Sequence, residues 1–284
     1  MPKTKVTLRK NARHPAAARS SAMPEGDGHM SFRLDGRRAV VTGGLGRIGS
    51  AIARALAEAG ASVTIVDQAT KGSASLVREL GPGAMFEAAD TSVPDAVPGL
   101  VAALDRRLGG IAVWVNCAYP RTADWGVKPE QDRPESWCRN VEMQMVATCL
   151  TADHVAQRMA KRKGGSIINI ASIYGLVGPD FSVYDGTDMT SPAAYSAIKG
   201  GIIGHTRYLA SYYGRRGVRV NVICPGGVFA GQPKRFVTQY ARRTALGRMA
   251  KAEELGPPAV FLASDASSYV TGSVLAVDGG WTAI

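Results

Sequence analysis

Two side chains with complementary proton chemistry stand four residues apart in the run Tyr195-Ser196-Ala197-Ile198-Lys199. A phenol has an unperturbed pKa of roughly 10 and is a poor acid or base near neutrality. A cation one helical turn away favours the phenolate and draws that pKa toward the working range. Residues four apart share a helix face, so the spacing suits proton exchange at a substrate oxygen. The same spacing recurs on many surface helices, so the pair needs support from the rest of the chain.

That support begins at Arg38-Ala39-Val40-Val41, a short apolar run that reads as a buried strand. It leads into Thr42-Gly43-Gly44-Leu45-Gly46-Arg47-Ile48-Gly49 and then an Ala-rich helical stretch, Ser50 to Gly60. Strand, glycine-rich turn and helix let backbone amides and a helix N-terminus approach a pyrophosphate. Glycine serves where a side chain would block that approach. A second strand, Ala61 to Val66, ends at Asp67, placed to accept hydrogen bonds from the adenosine ribose. The pattern predicts dinucleotide binding.

In this order the motifs resemble the short-chain dehydrogenase/reductase family over about residues 31 to 284. Asp90, after the apolar run Ala84 to Ala89, matches the acid placed against the adenine, with Thr91 beside it. Asn116-Cys117-Ala118-Tyr119 matches the family's Asn-Asn-Ala-Gly turn imperfectly, and Ser172 matches its catalytic serine. Pro225-Gly226 matches the turn beside the nicotinamide, and Asp278-Gly279-Gly280 the closing motif. The resemblance implies cofactor contacts from Thr42, Gly43, Gly46, Arg47, Ile48 and Gly49. Further contacts are implied from Asp67, Asp90, Thr91, Asn116, Ala118, Pro225, Gly226 and Val228, and from Tyr195 and Lys199. It implies hydride transfer between a nicotinamide and a carbon bearing a hydroxyl or carbonyl. Tyr195 would exchange the proton, Lys199 would lower the Tyr195 pKa and hold the nicotinamide ribose, and Ser172 would position the substrate oxygen.

The chain departs from the family pattern at four places. The asparagine of the catalytic tetrad is matched by Gln144, with Asn140 one turn earlier as the other candidate. Arg47 replaces a common glycine and could reach a 2′-phosphate, whereas Asp67 would repel one; the balance favours NAD, with NADP possible. Ala230 stands where many members carry a threonine. An insert within Ile173 to Ala194 contains Tyr174, Asp180, Tyr184, Asp185, Thr187 and Asp188. It reads either as a solvated loop or as a lid gripping a polyol or sugar, with Tyr119, Tyr174 and Tyr184 as candidate substrate contacts. Asn116 to Arg121, Ile170 to Gly175 and Tyr184 to Thr190 resemble a branch described as flagellin-modification oxidoreductases, linked to legionaminic-type sugars. Lys234, Arg235, Arg242 and Arg243 fall on the expected flap over the substrate, which would suit a nucleotide diphosphate.

The elements positioning these residues alternate strand and helix. Strands are expected near 38–42, 62–67, 84–89, 111–116, 166–171, 218–223 and 273–277. Such alternation predicts a single α/β, doubly wound Rossmann-type domain of about seven mostly parallel strands with helices on both faces. Ligands then bind beyond the carboxyl ends of the strands. The 284 residues suffice for one sizeable core. Residues 1–31 carry Lys3, Lys5, Arg9, Lys10, Arg13 and Arg19 against Glu25 and Asp27 and read as a disordered basic arm, leaving 32–284 as the catalytic domain. The net charge of +11 includes no basic stripe interleaved with aromatics, so nucleic acid is not the expected partner. No apolar run is long enough for a membrane span.

Cys117, Cys138, Cys149 and Cys224 form no CxxC pair and read as buried free thiols of a cytoplasmic protein. The four histidines lack ligand spacing, so no metal is expected. Many family members are tetramers, which implies a homotetramer or dimer through helix Ser136 to Lys161 and the run Ser273 to Ile284. The leading expectation is an NAD(P)-dependent dehydrogenase/reductase of a sugar, nucleotide-sugar or related polar alcohol. The alternatives are a 3-oxoacyl-thioester (acyl-carrier-protein) reductase and a non-catalytic dinucleotide-binding protein. Fold alone does not choose among them.

Overall fold

Each of the seven apolar runs becomes a strand in the computed structural model, which describes residues 31–162 and 164–284. The strands are β1 (Arg38–Thr42), β2 (Ser62–Asp67), β3 (Met85–Ala88), β4 (Val113–Asn116), β5 (Gly165–Ile170), β6 (Val218–Pro225) and β7 (Val274–Val277). They form one sheet in the order β3-β2-β1-β4-β5-β6-β7. Every neighbouring pair is parallel, where the sequence predicts a mostly parallel sheet. The strand order reverses between β1 and β4, opening a crevice at their carboxyl ends. The basic arm expected over residues 1–31 lies outside the described residues except for Ser31.

Helices α1 (Arg47–Glu58), α2 (Ser73–Leu80), α3 (Val97–Arg107), α4 (Pro134–Asn140), α5 (Ala147–Ala160), α6 (Ala193–Tyr213), α7 (Lys234–Arg242) and α8 (Gly256–Ala263) complete the frame. Alternate strand residues feed two cores. Val41, Ile65 and Val115 pack with Ile52 and Leu56 of α1 and with Leu262 of α8. Val40, Val66 and Trp114 pack on the other face with Val101 of α3, Val155 of α5 and Leu209 of α6. This two-sided burial explains why the strands read as continuous apolar runs.

The helix expected over Ser136 to Lys161 starts earlier, with Pro134 at its first turn, where the missing N–H costs nothing. It contains a π-helical segment, Val141–Val146, between α4 and α5. Such bulges are rare and cluster at functional sites. Cys224 is buried and Cys117 and Cys149 are half-buried, whereas Cys138 is exposed on α4, outside the predicted core. No disulfide forms among the described residues.

His205 on α6 faces Asp153 on α5 at 3.3 Å. Burial lowers its pKa, but hydrogen bonding to Asp153 and Cys149 outweighs burial and brings it to about 9. A pKa raised on folding stabilises the folded state fully below the unfolded value of roughly 6.5 and loses that effect as pH rises through about 9. Urea unfolding of His205→Gln should therefore show a deficit against the parent at pH 6 that shrinks by pH 9.5. An equal deficit at both pH values would contradict the link.

Candidate active site

The chemistry-bearing strand ends converge on one cavity of about 930 Å³. Its base is the glycine-rich turn. Gly43 has φ +62°, and a Cβ there would stand 2.6 Å from the Ala118 Cα. A Cβ on Gly49 would collide with the Gly43 carbonyl oxygen. These glycines are therefore required for β1, β4 and α1 to approach each other, and they leave a cradle lined by Gly43, Gly46 and Gly49. Gly46 caps α1 without a side-chain hydrogen bond, so the first-turn amides remain available to a pyrophosphate.

Asp67 lies where sequence places it, at the end of β2 and on the cavity wall. Its carboxylate accepts from the Leu45 N–H at 3.0 Å and the Ala69 N–H at 3.0 Å, one on each oxygen. Each oxygen keeps acceptor capacity for a ribose hydroxyl. Arg47 is exposed on the same wall. Asp90 accepts from the Ser92 N–H at 2.8 Å and, with Thr91, lines the cavity. Ile48, Ala118, Pro225, Gly226 and Val228 also line it.

Two predicted cofactor contacts point elsewhere. The Thr42 hydroxyl accepts from the Cys117 and Ala118 amides at 3.1 and 3.3 Å, joining the ends of β1 and β4. Asn116 accepts from the Trp114 indole at 2.7 Å and donates to Asn169 at 2.8 Å; Asn169 donates in turn to Thr206. Their polar atoms are committed inside the protein, and neither residue lines the cavity. Both act on the site by holding β4 in register.

Ser172, Tyr195 and Lys199 line the same cavity. Ser172 follows β5 and its Oγ accepts from the Tyr174 N–H at 3.2 Å. Tyr195 and Lys199 share a face of α6, which starts just after Pro192. The Lys199 ammonium donates to the Ile170 carbonyl at 3.1 Å and lies 5.6 Å from the Tyr195 ring centroid. Burial pulls the Lys199 pKa down to about 8. Burial also pushes the Tyr195 phenol upward, opposed by hydrogen bonding with Ser172. This direction is opposite to the lowering expected from Lys199, because desolvation of the phenolate dominates.

Gln144 stands apart from the cavity. It is buried in the π-helical segment and does not line the cavity. Its Nε2 donates to Asn140 at 3.3 Å, while its Oε1 is buried without a partner. Asn140 is engaged with Thr122 and Ser136. Neither amide is brought to the cavity with the other three groups.

The insert is divided. Tyr174, Tyr184 and Asp188 line the cavity. Asp180 pairs with Arg243 at 2.8 Å, Asp185 is exposed, and the Thr187 hydroxyl bonds the Tyr184 carbonyl. Gln239 on α7 donates to the carbonyls of Ser182, Val183 and Asp185 at 3.0 to 3.2 Å, so insert and flap are tied together. The flap offers Phe236 and Tyr240 to the cavity; Lys234, Arg235, Arg242 and Arg243 do not line it. The amphipathic spacing of Phe236 and Tyr240, four apart, was a signal for this orientation. Trp125 is a further wall residue that sequence reasoning missed; it has no periodic or motif context. Tyr119 and Ala230 also line the cavity.

The chain resembles proteins of known structure and activity. A family model described as enoyl-(acyl carrier protein) reductase matches residues 45–282. The chain is 35% identical over 254 residues to cis-4-hydroxycyclohexanecarboxylate dehydrogenase of Sinomonas cyclohexanicum, covering 87% of this chain and 97% of that one. Among solved structures, a gluconate 5-dehydrogenase from Burkholderia cenocepacia in complex with NADP and tartrate aligns with a TM-score of 0.79 at 31% identity. That alignment covers 89% of this chain and 98% of the other. A short-chain dehydrogenase from Leptospira borgpetersenii with bound NAD+ aligns with a TM-score of 0.79 at 30% identity, covering 88% and 94%.

Proposed function

The chain belongs to the short-chain dehydrogenase/reductase family, and from that premise we propose that it interconverts an alcohol and a carbonyl, with Tyr195 as the proton-transfer group. The carrying observation is the convergence of Ser172, Tyr195 and Lys199 in the cavity that also contains the glycine cradle. The cofactor is a nicotinamide dinucleotide, which when bound accepts or donates the hydride. Gly43, Gly46 and Gly49 would hold its pyrophosphate, Asp67 its adenosine ribose, and Pro225-Gly226 the nicotinamide end. Tyr195 takes the alcohol proton in oxidation and returns it in reduction. Ser172 orients the substrate oxygen, and the Lys199 ammonium offsets negative charge on the phenolate.

NAD is our preferred form. Asp67 is fixed by two backbone amides, whereas Arg47 is an exposed side chain at the cavity edge. Calorimetric titration should therefore show tighter NADH than NADPH. Asp67→Ala should shrink that ratio by about tenfold, the worth of one charged contact; an unchanged ratio would assign discrimination elsewhere.

For the substrate we favour a sugar-like or other polar alcohol, the reading suggested by the resemblance to legionaminic-type oxidoreductases. Tyr174, Tyr184 and Asp188 on the cavity wall support it. The outward basic residues of α7 remove the reason to prefer a nucleotide-linked form. The description of the matching family model favours an acyl-thioester reductase as the second reading. Tighter NADPH together with turnover of a 3-oxoacyl thioester, but of no polyol, would select it.

Among the described residues no helix is long and apolar enough to cross a membrane. A cytoplasmic homotetramer is our proposal for location and assembly. Tyr208 and Tyr212 are large exposed side chains on α6, 61% and 57% accessible, and support burial by another copy. Light scattering should give four times the chain mass; a monomer would remove this proposal.

A further inference from the structure

We propose that Trp125 fixes Tyr119 as a hydrogen-bond donor to a second substrate oxygen, so that the site selects cyclic alcohols carrying a hydroxyl beside the one oxidised. This rests on the alcohol-oxidising reading of Tyr195. The indole N–H of Trp125 meets the Tyr119 phenol oxygen at 2.8 Å. An indole N–H can only donate, so the phenol oxygen must accept. The Tyr119 proton is then directed away from Trp125, and no acceptor for it occurs among the described residues. Tyr119 is 41% exposed and lines the cavity, so this proton is accessible to a ligand.

The surroundings keep that donor protonated. The Lys199 ammonium lies 5.4 Å and the Arg121 guanidinium 5.3 Å from the Tyr119 ring centroid. Burial outweighs the nearby Arg121 charge and raises the Tyr119 pKa, so the phenol keeps its proton and stands as a neutral donor. The fourth residue of the turn after β4 is thus a polar wall, where the family's usual glycine would supply none.

Position defines the chemistry of the ligand. The ring centroids of Tyr119 and Tyr195 are 5.8 Å apart, with Trp125 and Tyr174 at 6.2 and 6.4 Å from Tyr195. All three neighbours meet the Tyr195 ring edge to face. The reacting oxygen is therefore approached between flat aromatic walls, which pack against the C–H faces of a ring. A substrate oxygen bonded to Tyr195 presents its next oxygen along the wall to Tyr119. Tyr119 is the specificity residue, and Trp125 is a positioning residue that acts through it.

The test uses the full chain and pairs differing by one neighbouring hydroxyl. These are cyclohexanol against cis- and trans-cyclohexane-1,2-diol, and a 2-deoxypyranose against its parent pyranose, each with NAD+ and NADP+. The parent protein should prefer the neighbouring-hydroxyl member of a pair by roughly tenfold in kcat/KM, the order of one hydrogen bond made at the site. Tyr119→Phe and Trp125→Phe should each bring that ratio close to one, mainly through KM. Both variants should retain NADH affinity in calorimetry, which separates loss of selectivity from loss of fold. Turnover without preference in the parent, or preference surviving in both variants, would overturn the inference while leaving the alcohol reading intact. Binding of NADH with turnover of no member would also overturn it. Failure to bind either dinucleotide would overturn the alcohol reading and this inference with it.

Discussion

Tyr195→Phe is expected to lower kcat by about 10²–10⁴-fold, the range general acid–base groups supply. Phenylalanine keeps the ring, and with it the edge contacts to Tyr119, Trp125 and Tyr174. It removes only the oxygen. Dinucleotide affinity should fall by no more than one neutral hydrogen bond is worth, roughly tenfold. The pH profile supplies a second signature. Burial raises the Tyr195 pKa, so at neutral pH the phenol is protonated and suited to donate in reduction. Alcohol oxidation needs the phenolate and should accelerate as pH rises. Lys199, brought by burial to about 8, carries its charge below that pH and loses it above. The oxidation rate of the parent should therefore rise with pH and flatten once the cation is lost, and Tyr195→Phe should abolish the rise. A variant with near-parental kcat and an intact profile would place proton transfer on another group.

Gly43→Ala is expected to abolish measurable dinucleotide binding and to destabilise the fold by about 2–4 kcal/mol. Two costs combine. A non-glycine residue at φ +62° is strained, and the added Cβ would lie 2.6 Å from the Ala118 backbone. Relief requires β1 and the turn after β4 to separate, and that separation opens the cradle under the pyrophosphate. Calorimetry and urea unfolding read the two effects independently. Parental NADH affinity with only lowered stability would show that the turn is structural and not the cofactor cradle.

Much of this architecture was legible in the residues because its signals are local. The apolar run Arg38 to Val41, stopped by Thr42-Gly43, can hardly be anything but a buried strand entering a tight turn. Asp67 and Ser172 are found by lying at the ends of such runs, and Tyr195 with Lys199 by helical spacing. Side-chain direction was less accessible. Asn116 follows a strand in a motif that suggests contact with a ligand, yet its amide is taken by Trp114 and Asn169, a partner 53 positions away. The basic residues of α7 drew attention by charge, while Phe236 and Tyr240 determine which side of that helix faces inward. Trp125 lies in an aperiodic stretch whose position depends on Tyr119 and Tyr195, neither of them near in a repeating pattern. Gln144 matches the family's asparagine by position, but it lies buried in the π-helical segment and away from the cavity.

The buried chain of Trp114, Asn116, Asn169 and Thr206 has a consequence for how the sheet assembles. With both faces apolar, in-out alternation cannot tell one pairing of parallel strands from its neighbour, since a shift by one residue still buries greasy side chains. Asn116 pairs opposite Asn169, and their amides meet only in this alignment. A slip of one residue would put the two amides on opposite faces and strand several donors and acceptors in a dry interior, at about 1–3 kcal/mol apiece. These two amides act as a molecular key, closing β4 and β5 in a single frame and thereby setting where each strand ends at the mouth of the crevice.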